Sequence, residues 1–377
     1  MTRPDKGRID EVTGEGSQSL EETDAHSQPA DRSADRFRLG IAGYDLWPHA
    51  INFCQTLHNV DFARISAVWD DDPRHLERLV ELTGAEGYRD LDAFCHSDIQ
   101  GAIITARTSL RRDVAVSLAA AGKHVLSDKP MAMTTEECLA IVHACREAGV
   151  VLMGGYNFRF WKTWQLMKRV METGDLGAPL HLYCAYNTGM IRRSEWEDTY
   201  DSDWTDPSAT PGGGWLTHGD HPVDLTRWLF GAEFTEVLAD MRKLRYPRYA
   251  VEDYGVAHFL LNNGATVVIH SDAISPTIRL DVEVICQNGG MSYRIKPEPR
   301  LKVWGVPSLG AEVVEYAVSE HWVDALREMT RAFVRAVETK TPPPITGEDN
   351  LRVIEVAEAA YRSSREGTRV PIRQAVV

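Results

Sequence analysis

The sequence predicts an α/β protein with an N-terminal doubly wound parallel sheet and a C-terminal α+β domain built on a large, mostly antiparallel open sheet. Two patterns carry this prediction. Between residues 37 and 158, short apolar runs alternate with segments of helical spacing, which is typical of a parallel sheet with helices on both faces. After residue 159 the runs are longer and alternate between apolar and polar residues, which is typical of strands with one covered face.

Composition and charge narrow the class of protein. The 377 residues are 43% hydrophobic and 25% charged, which indicates a globular chain. Lys and Arg number 41 and Asp and Glu 55, so the net charge is −14. Such a surface repels phosphate backbones and anionic lipid, and no apolar run approaches the ~18 residues of a membrane span. We therefore expect neither a nucleic-acid partner nor a membrane partner.

The composition of the N-terminal tail predicts disorder, and the cysteine pattern indicates the cellular compartment. Residues 1–36 contain no Phe, Trp or Tyr and are acidic, so we expect a disordered tail. The six cysteines are scattered, and none forms a C-x-x-C pair. This pattern favours buried free thiols in the cytoplasm and indicates no structural zinc site.

The first half of the chain contains five candidate strands of the predicted parallel sheet. They are FRLGIAG, ARISAVWD, GAIITA, KHVLSDKP and GVVLMGGY. One intervening helix carries a capping-box pair, Thr134 and Glu137, and a stop at Gly149. In a doubly wound sheet the ligand crevice lies beyond the carboxyl ends of the strands. The residues that follow these strands are therefore the first candidates for a binding site.

Four segments, in the same order along the chain, resemble those of the Gfo/Idh/MocA oxidoreductases, the family of glucose–fructose oxidoreductase and inositol dehydrogenase. They are AGKHVLSDKPMAMT, GYNFRF, GGGWLTHGDHPVDLTRWLFG and the closing stretch from FVRAVETK to RVPI. The resemblance covers residues 37 to 375. It implies an N-terminal Rossmann domain and an NAD(P)-dependent dehydrogenase or reductase acting on CH–OH groups of a sugar, cyclitol or related polyol. It also implies a homodimer or homotetramer formed through the C-terminal sheet.

The resemblance and the pattern together divide the chain. We expect a tail at 1–36, a dinucleotide-binding domain at 37–158 and a substrate-binding and oligomerisation domain at 159–377. The last helix of the second domain is expected to pack against the first.

The first turn departs from the glycine-rich dinucleotide fingerprint. Gly43 matches its first glycine, but Asp45 stands at the second glycine position and the third falls near Pro48. Asp45 can cap the following helix, and it also places a negative charge beside the pyrophosphate. The resemblance implies cofactor contacts from the strand ends, at Gly43, Tyr44, Asp45, Leu46, Asp70, Asp71, Ala106, Arg107, Arg111, Asp128 and Lys129.

Two pairs of charged residues bear on which cofactor binds. Asp70 ends the second strand, where an acid can hydrogen-bond ribose hydroxyls, and Asp71 follows it. Two acids at this place favour NAD over NADP. Arg107 and Arg111 follow the third strand, where they could meet the pyrophosphate, hold an anionic substrate, or merely begin a solvated helix.

The catalytic residues that the resemblance implies are Lys129 and His221. Lys129 would exchange a proton with the substrate hydroxyl, and Pro130 would follow a cis peptide bond, as in relatives. His221 would serve as general acid or base. Thr217 stands four residues before His221, where relatives carry an aspartate; its hydroxyl could position a substrate but carries no charge.

The substrate would meet both halves of the chain. Tyr156, Asn157 and Arg159 follow the last strand of the first domain, and Arg159 would orient the substrate. Further contacts are expected from Trp161, His218, Asp220 and His221; adjacent residues of this kind rarely converge on one metal ion, so no metal is expected. The long stretch from 187 to 211 is a candidate lid.

Two alternatives stay open on the sequence alone, because Asp45 and Thr217 depart from the family pattern. One is the same fold using tightly bound NAD for a net non-redox reaction, such as elimination or epimerisation. The other is a non-catalytic ligand-binding protein with a weakened cofactor site. Retention of both Lys129 and His221 argues against the latter.

Overall fold

A computed structural model describes residues 36–44, 49–188, 205–247, 249–309, 312–318 and 322–376. The predicted tail, apart from Arg36, lies outside the described residues. So do Asp45 and Leu46 of the first turn and most of the candidate lid.

The first sheet has six parallel strands in the order β3-β2-β1-β4-β5-β6. They are β1 Phe37–Ala42, β2 Ala63–Trp69, β3 Glu86–Tyr88, β4 Gly101–Ile104, β5 His124–Ser127 and β6 Leu152–Gly154. The sequence pattern predicts five of these strands. It misses β3 because this strand has three residues, only partly covered, and no apolar run.

Helices connect these strands on both sides of the sheet. They are α1 His49–Leu57, α2 Pro73–Thr83, α3 Leu91–Cys95, α4 Thr108–Ala120 and α5 Thr135–Glu147. Thr134 caps α5 as predicted, its hydroxyl accepting from the Glu137 N–H, and Glu137 in turn accepts from the Met133 N–H. Gly149 follows α5 with a φ of +66°, a conformation that glycine adopts at little cost.

The second sheet has nine strands in the order β14-β13-β12-β11-β7-β10-β9-β8-β15. They are β7 Pro179–Asn187, β8 Phe234–Arg242, β9 Tyr254–Leu261, β10 Thr266–Asp272, β11 Arg279–Cys286, β12 Gly290–Arg294, β13 Arg300–Trp304, β14 Val313–Ala317 and β15 Val370–Pro371. Strands β7 and β10 pair in parallel, and the other neighbours are antiparallel. Alternate residues of β9 are buried, so one face of the sheet carries the core. The predicted fold class is confirmed.

The remaining helices join the two sheets. They are α6 Lys162–Glu172, α7 Leu216–Phe230, α8 Trp322–Thr339 and α9 Gly347–Glu366, with a 3₁₀ turn at Asn157–Phe160 before α6. Helix α9 packs on α5 and β6 of the first sheet and on α7 and β8 of the second. Just before α9, the Ile345 carbonyl accepts from the Gly154 N–H at 3.0 Å. The predicted boundary at residue 158 stays a prediction.

Two further features bear on the sequence expectations. All six cysteines are buried free thiols, as their scatter indicates. Of the helices in the described ranges, none combines the length and the apolar character needed to cross a bilayer.

Candidate active site

The candidate site lies where the strand order of the first sheet reverses, between β1 and β4. Gly43 follows β1 with a φ of +94°, and a Cβ there would lie 2.3 Å from the Cα of Ala106. Its N–H donates to the Trp69 carbonyl, and its carbonyl accepts from the Thr105 hydroxyl at 2.5 Å. The turns after β1 and β4 are therefore in direct contact, and only glycine fits at position 43.

The carboxylate of Asp70 is fixed at the end of β2. One of its oxygens accepts from the Tyr44 N–H at 2.6 Å, and the other accepts from the Asp72 N–H at 2.8 Å. His75 lies 3.5 Å away, and its hydrogen bond to Asp70 raises the pKa of this imidazole. The predicted ribose-binding acid is thus oriented by two turns at the strand ends.

Two arginines follow β4, and the structure separates their roles. Arg107 is partly exposed and forms an ion pair with Asp71 at 2.8 Å. Arg111 is 2% exposed and donates to the carbonyls of Ala106 and Pro130, at 2.7 and 2.8 Å. The Arg111 guanidinium therefore binds the backbone of two turns, and this geometry does not support the expected contact with the pyrophosphate.

Lys129 follows β5 and reaches across to α7. The Lys129–Pro130 peptide bond is cis, as the resemblance implies. The buried Lys129 ammonium donates to the carbonyl of Thr217 and lies 3.7 Å from a carboxylate oxygen of Asp220. The lysine therefore stands at the contact between the first sheet and the helix that carries His221.

Asp128, beside this lysine, is a buried acid among basic side chains. It contacts the His49 imidazole at 2.6 Å and lies 3.9 Å from the Arg111 guanidinium. Burial alone would raise the pKa of Asp128, but His49, Arg111 and Lys129 outweigh it and lower the pKa to about 2. His49 begins α1 and was not predicted; its partner is 79 residues away in sequence.

Helix α7 presents His218, Asp220 and His221, all buried. The His221 ring stacks on Phe158 with centroids 4.2 Å apart, and Tyr156 meets it edge-on at 5.9 Å. The His218 ring lies 4.6 Å from that of Tyr186. Phe158 and Tyr186 were not predicted; GYNFRF contains the first, but nothing local marks a residue of β7 as a wall of this site.

Among the described residues, the buried polar atoms without a hydrogen-bond partner include Nδ1 of His221, the Tyr156 hydroxyl and Oδ2 of Asp220. Burial is the main cause that lowers the pKa of His221 and His218 well below the usual value, and the charge of Lys129 adds to it. Burial also raises the pKa of Asp220 to about 7. At neutral pH both imidazoles are uncharged, so either can accept a proton.

Thr217 contributes through its backbone. Its hydroxyl donates to the Gly213 carbonyl at 2.7 Å, one turn back along the chain, while its own carbonyl accepts from Lys129. The expectation that the hydroxyl positions a substrate is therefore not supported. A carbonyl contact of this kind leaves no signal in the sequence.

Arg159 is placed where it stabilises the fold. Its guanidinium donates to both carboxylate oxygens of Asp224, at 2.8 and 2.5 Å, and to the Pro344 carbonyl at 3.0 Å. Asp349 at the start of α9 lies 3.4 Å away. These bonds engage every nitrogen of the guanidinium, so the structure does not support the expected substrate contact.

The neighbours of Arg159 are also enclosed. Within the described residues, the amide group of buried Asn157 has no hydrogen bond, and the indole N–H of Trp161 has no partner; the rings of Trp161 and Phe158 have centroids 4.6 Å apart. No three His, Cys, Asp or Glu side chains in the described part of the chain are arranged to hold a metal ion.

The described site thus offers a lysine, two neutral imidazoles and one titrating carboxyl group beside a fixed turn at the strand ends.

Comparison with known proteins gives consistent results over most of the chain. A family model described as an oxidoreductase family with an NAD-binding Rossmann fold matches residues 37–156. A model of the GFO/IDH/MocA C-terminal domain matches residues 164–292.

Individual relatives are similar at low identity. D-apiose dehydrogenase of Rhizobium rhizogenes is 28% identical over 86% of this chain and 94% of its own. Inositol 2-dehydrogenase 2 of Saccharopolyspora erythraea is 27% identical over 83% and 89%. The fold of an oxidoreductase from Agrobacterium radiobacter, solved with NAD+, L-tartaric acid and magnesium, superposes with a TM-score of 0.78 at 21% identity, covering 89% of this chain and 98% of that one.

Both halves of the chain match their family models in the order that the fold requires, and the four resembling segments lie at the described strand ends and helices. The chain therefore belongs to the GFO/IDH/MocA oxidoreductase family.

Proposed function

We propose that the protein is an NAD-dependent oxidoreductase that moves a hydride to or from a carbinol carbon of a sugar, cyclitol or related polyol. The observation that carries the proposal is the position of Lys129 at the carboxyl end of β5: its nitrogen lies 3.7 Å from Asp220 on α7, and its charge helps to lower the pKa of the His221 imidazole on the same helix. The relatives named above, an apiose dehydrogenase and an inositol dehydrogenase, support the substrate class.

The residues at the strand ends fit a dinucleotide. Gly43 supplies the left-handed turn that a dinucleotide fingerprint needs after its first strand. Asp70 would hold the adenosine ribose hydroxyls through its carboxylate, which is already oriented by two N–H donors. The bound nicotinamide would supply the hydride acceptor or donor.

The substrate half supplies the proton chemistry. For oxidation, the substrate hydroxyl must lose a proton as its carbon loses a hydride. The neutral imidazole of His221 can accept that proton, and the Lys129 ammonium can hold the hydroxyl oxygen by donating a hydrogen bond. Tyr156 would bind another hydroxyl, since a polyol can partner a buried polar atom that has no partner in the described structure.

The charges at the end of β2 favour NAD over NADP. A 2′-phosphate next to Asp70 would face two carboxylates, and Arg107, a possible partner for it, is engaged by Asp71. Substitution of Asp71 by Ser removes one negative charge and releases Arg107, so both consequences favour NADP.

The experiment is a calorimetric titration of the full chain with NAD+ and NADP+, after mass spectrometry of denatured protein has checked for copurified nucleotide. We expect NAD+ to bind more tightly than NADP+, and a polyol such as myo-inositol or D-apiose to give NADH absorbance. Asp71→Ser should raise NADP+ affinity roughly fivefold. Absence of bound nucleotide, of heat and of a thermal shift at millimolar NAD+ would overturn the proposal.

Assembly and compartment follow as part of the same proposal. The face of the second sheet that points away from the core carries apolar side chains, among them Leu238 at 43% exposure. This supports a homodimer or homotetramer formed through that sheet. Six buried free thiols support a reducing compartment such as the cytoplasm.

A further inference from the structure

Helix α7 begins without a capping side chain from the residue before it. In the described structure Trp215, which stands at that position, gives no side-chain hydrogen bond to the helix N-terminus. The N–H groups at the start of a helix have no acceptor within the helix, so acceptors must come from another segment. The first turn of α7 contains Thr217, whose carbonyl accepts from the Lys129 ammonium. Whatever supplies the missing acceptors therefore also fixes a partner of the lysine.

Glu252, in the segment before β9, supplies these acceptors. Its carboxylate accepts from the N–H groups of Gly213, at 2.9 and 3.0 Å, and of Trp215, at 3.0 Å. Its carbonyl accepts from the Gly214 N–H at 2.7 Å. One residue, 37 positions after Trp215 in the sequence, thus binds three consecutive N–H groups at the start of α7.

The turn before α7 packs closely against Glu252 and against α9. A Cβ at Gly213 would overlap the Glu252 carbonyl oxygen, and a Cβ at Gly212 would overlap the hydroxyl of Tyr361 on α9. That hydroxyl donates to the Glu252 carboxylate at 2.8 Å. The two glycines therefore allow this close approach, because neither has a side chain in the way.

A continuous series of hydrogen bonds runs from Glu252 to Lys129. The Gly213 N–H donates to Glu252. The Gly213 carbonyl accepts from the N–H and from the hydroxyl of Thr217, at 2.9 and 2.7 Å. The Thr217 carbonyl in turn accepts from the Lys129 ammonium. Because Gly213 and Thr217 are bonded to each other twice, a shift of Gly213 would also move the carbonyl that binds the lysine.

We propose that Glu252 is a positioning residue that fixes the turn before α7, holds the Thr217 carbonyl against Lys129 and so orients the ammonium towards the substrate. This inference rests on the proposed function. An ammonium has three N–H donors, so the bond to Thr217 fixes one of them and directs the others. The Thr217 side chain carries no charge that could hold the lysine. The fold must therefore place the backbone carbonyl, and Glu252 is the residue that places it.

The activity test compares Glu252→Ala with Glu252→Gln. The amide oxygen of the Gln variant can accept the bonds that Oε1 accepts from Gly213, Trp215 and Tyr361, whereas the Ala variant can accept none. We expect Glu252→Ala to lower kcat by about 10- to 100-fold and to change KM by less than about threefold, because a misplaced catalytic group slows the chemical step. Glu252→Gln should keep kcat within about threefold of the wild type.

The matched control is Asp253→Ala, the neighbouring acid. The Asp253 carboxylate is buried and accepts from three backbone N–H groups of the turn after β8, at 2.7 to 2.8 Å. We expect Asp253→Ala to lower the midpoint of thermal unfolding but to keep kcat within about threefold. An unchanged kcat in Glu252→Ala, or an equal loss of kcat in Asp253→Ala, would overturn the proposal.

Crystal structures of the full chain without cofactor or substrate test the positioning itself, so their result is independent of the proposed function. We expect the Lys129 nitrogen to bind the Thr217 carbonyl in the wild type and in Glu252→Gln, and to lie beyond about 3.5 Å from it in Glu252→Ala. If Glu252→Ala fails to fold, Glu252→Asp serves instead, because its carboxylate is one methylene shorter and falls short of the turn. A Lys129–Thr217 hydrogen bond retained in the variant examined would overturn the proposal.

Discussion

The two sides of the crevice differ in how their buried polar groups are satisfied. At the strand ends, Asp70, Arg111 and Asp128 each have hydrogen-bond or ion-pair partners from neighbouring turns. On the side of α7, Asp220 and His221 each keep a buried polar atom without a partner in the described structure. Partnered groups hold the crevice in shape, and unpartnered groups are available to a ligand.

The unpartnered polar atoms on the side of α7 lower the stability of the folded state. A buried polar atom without a partner costs about 1–3 kcal/mol. Helix α7 is held in place by the buried ion pair between Arg159 and Asp224, by the contact of Arg159 with Asp349, and by packing on α9. The partnered network therefore stabilises the position of the unpartnered site.

The largest expected effect tests the unpartnered side. Lys129→Met should lower kcat by about 10²- to 10⁴-fold, because the proton donor at the substrate oxygen is lost. Lys123→Met is the control: that lysine also donates to backbone carbonyls, those of Ser97 and Ile99, but at the start of β5. Steady-state assays with NAD+ and the best polyol measure both; equal loss in the two variants would contradict the assignment.

The next effect tests the partnered network. Asp224→Asn should lower the free energy of unfolding by about 3 kcal/mol, because the buried Arg159 guanidinium loses its charged partner. Asp240→Asn, which breaks an exposed pair with Arg242, should cost less than about 1 kcal/mol. Denaturant-induced unfolding followed by circular dichroism compares them. A cost for Asp224→Asn as small as that of the control would show that the pair does not stabilise α7.

The smallest effect concerns Asp128 and depends on pH. Its folded-state pKa of about 2 lies below the unfolded value near 4, so its contribution of about 2 kcal/mol is present above pH 4 and is lost as the pH falls towards 2. Asp128→Asn should therefore be less stable than the wild type at pH 7, and the gap should narrow between pH 4 and pH 3. A gap that stays constant with pH would contradict the role of His49 and Arg111 in lowering that pKa.

Much of the fold was predictable because its signals are local. The apolar runs, the Thr134 cap and the stop at Gly149 each depend on a few adjacent residues, and they predict strands and helices that the structure contains. Strand β3 was missed because it has three residues and no apolar run. The strand order and register of each sheet gave no local signal, because they are decided by partners distant in sequence.

The site was predictable in its residue types and less so in their roles. The segment with Lys129 and the one with His221 were recognised from short motifs. The roles of Arg159 and Thr217 were not, because each depends on a partner that the motif does not contain. His49 gave no signal at all, since its importance comes from Asp128, 79 residues away.

The sequence by itself determined the two-sheet architecture, the acidic surface and the family, because periodicity, composition and short motifs are properties of neighbouring residues. Only the tertiary structure decided which charges are paired and which stay free. It brought Lys129 to the Thr217 carbonyl, 88 residues along the chain, and left one oxygen of Asp220 unpartnered beside the lysine. The protonation of these side chains depends on their burial and on their distance from other charges, and both arise only when segments distant in sequence pack together.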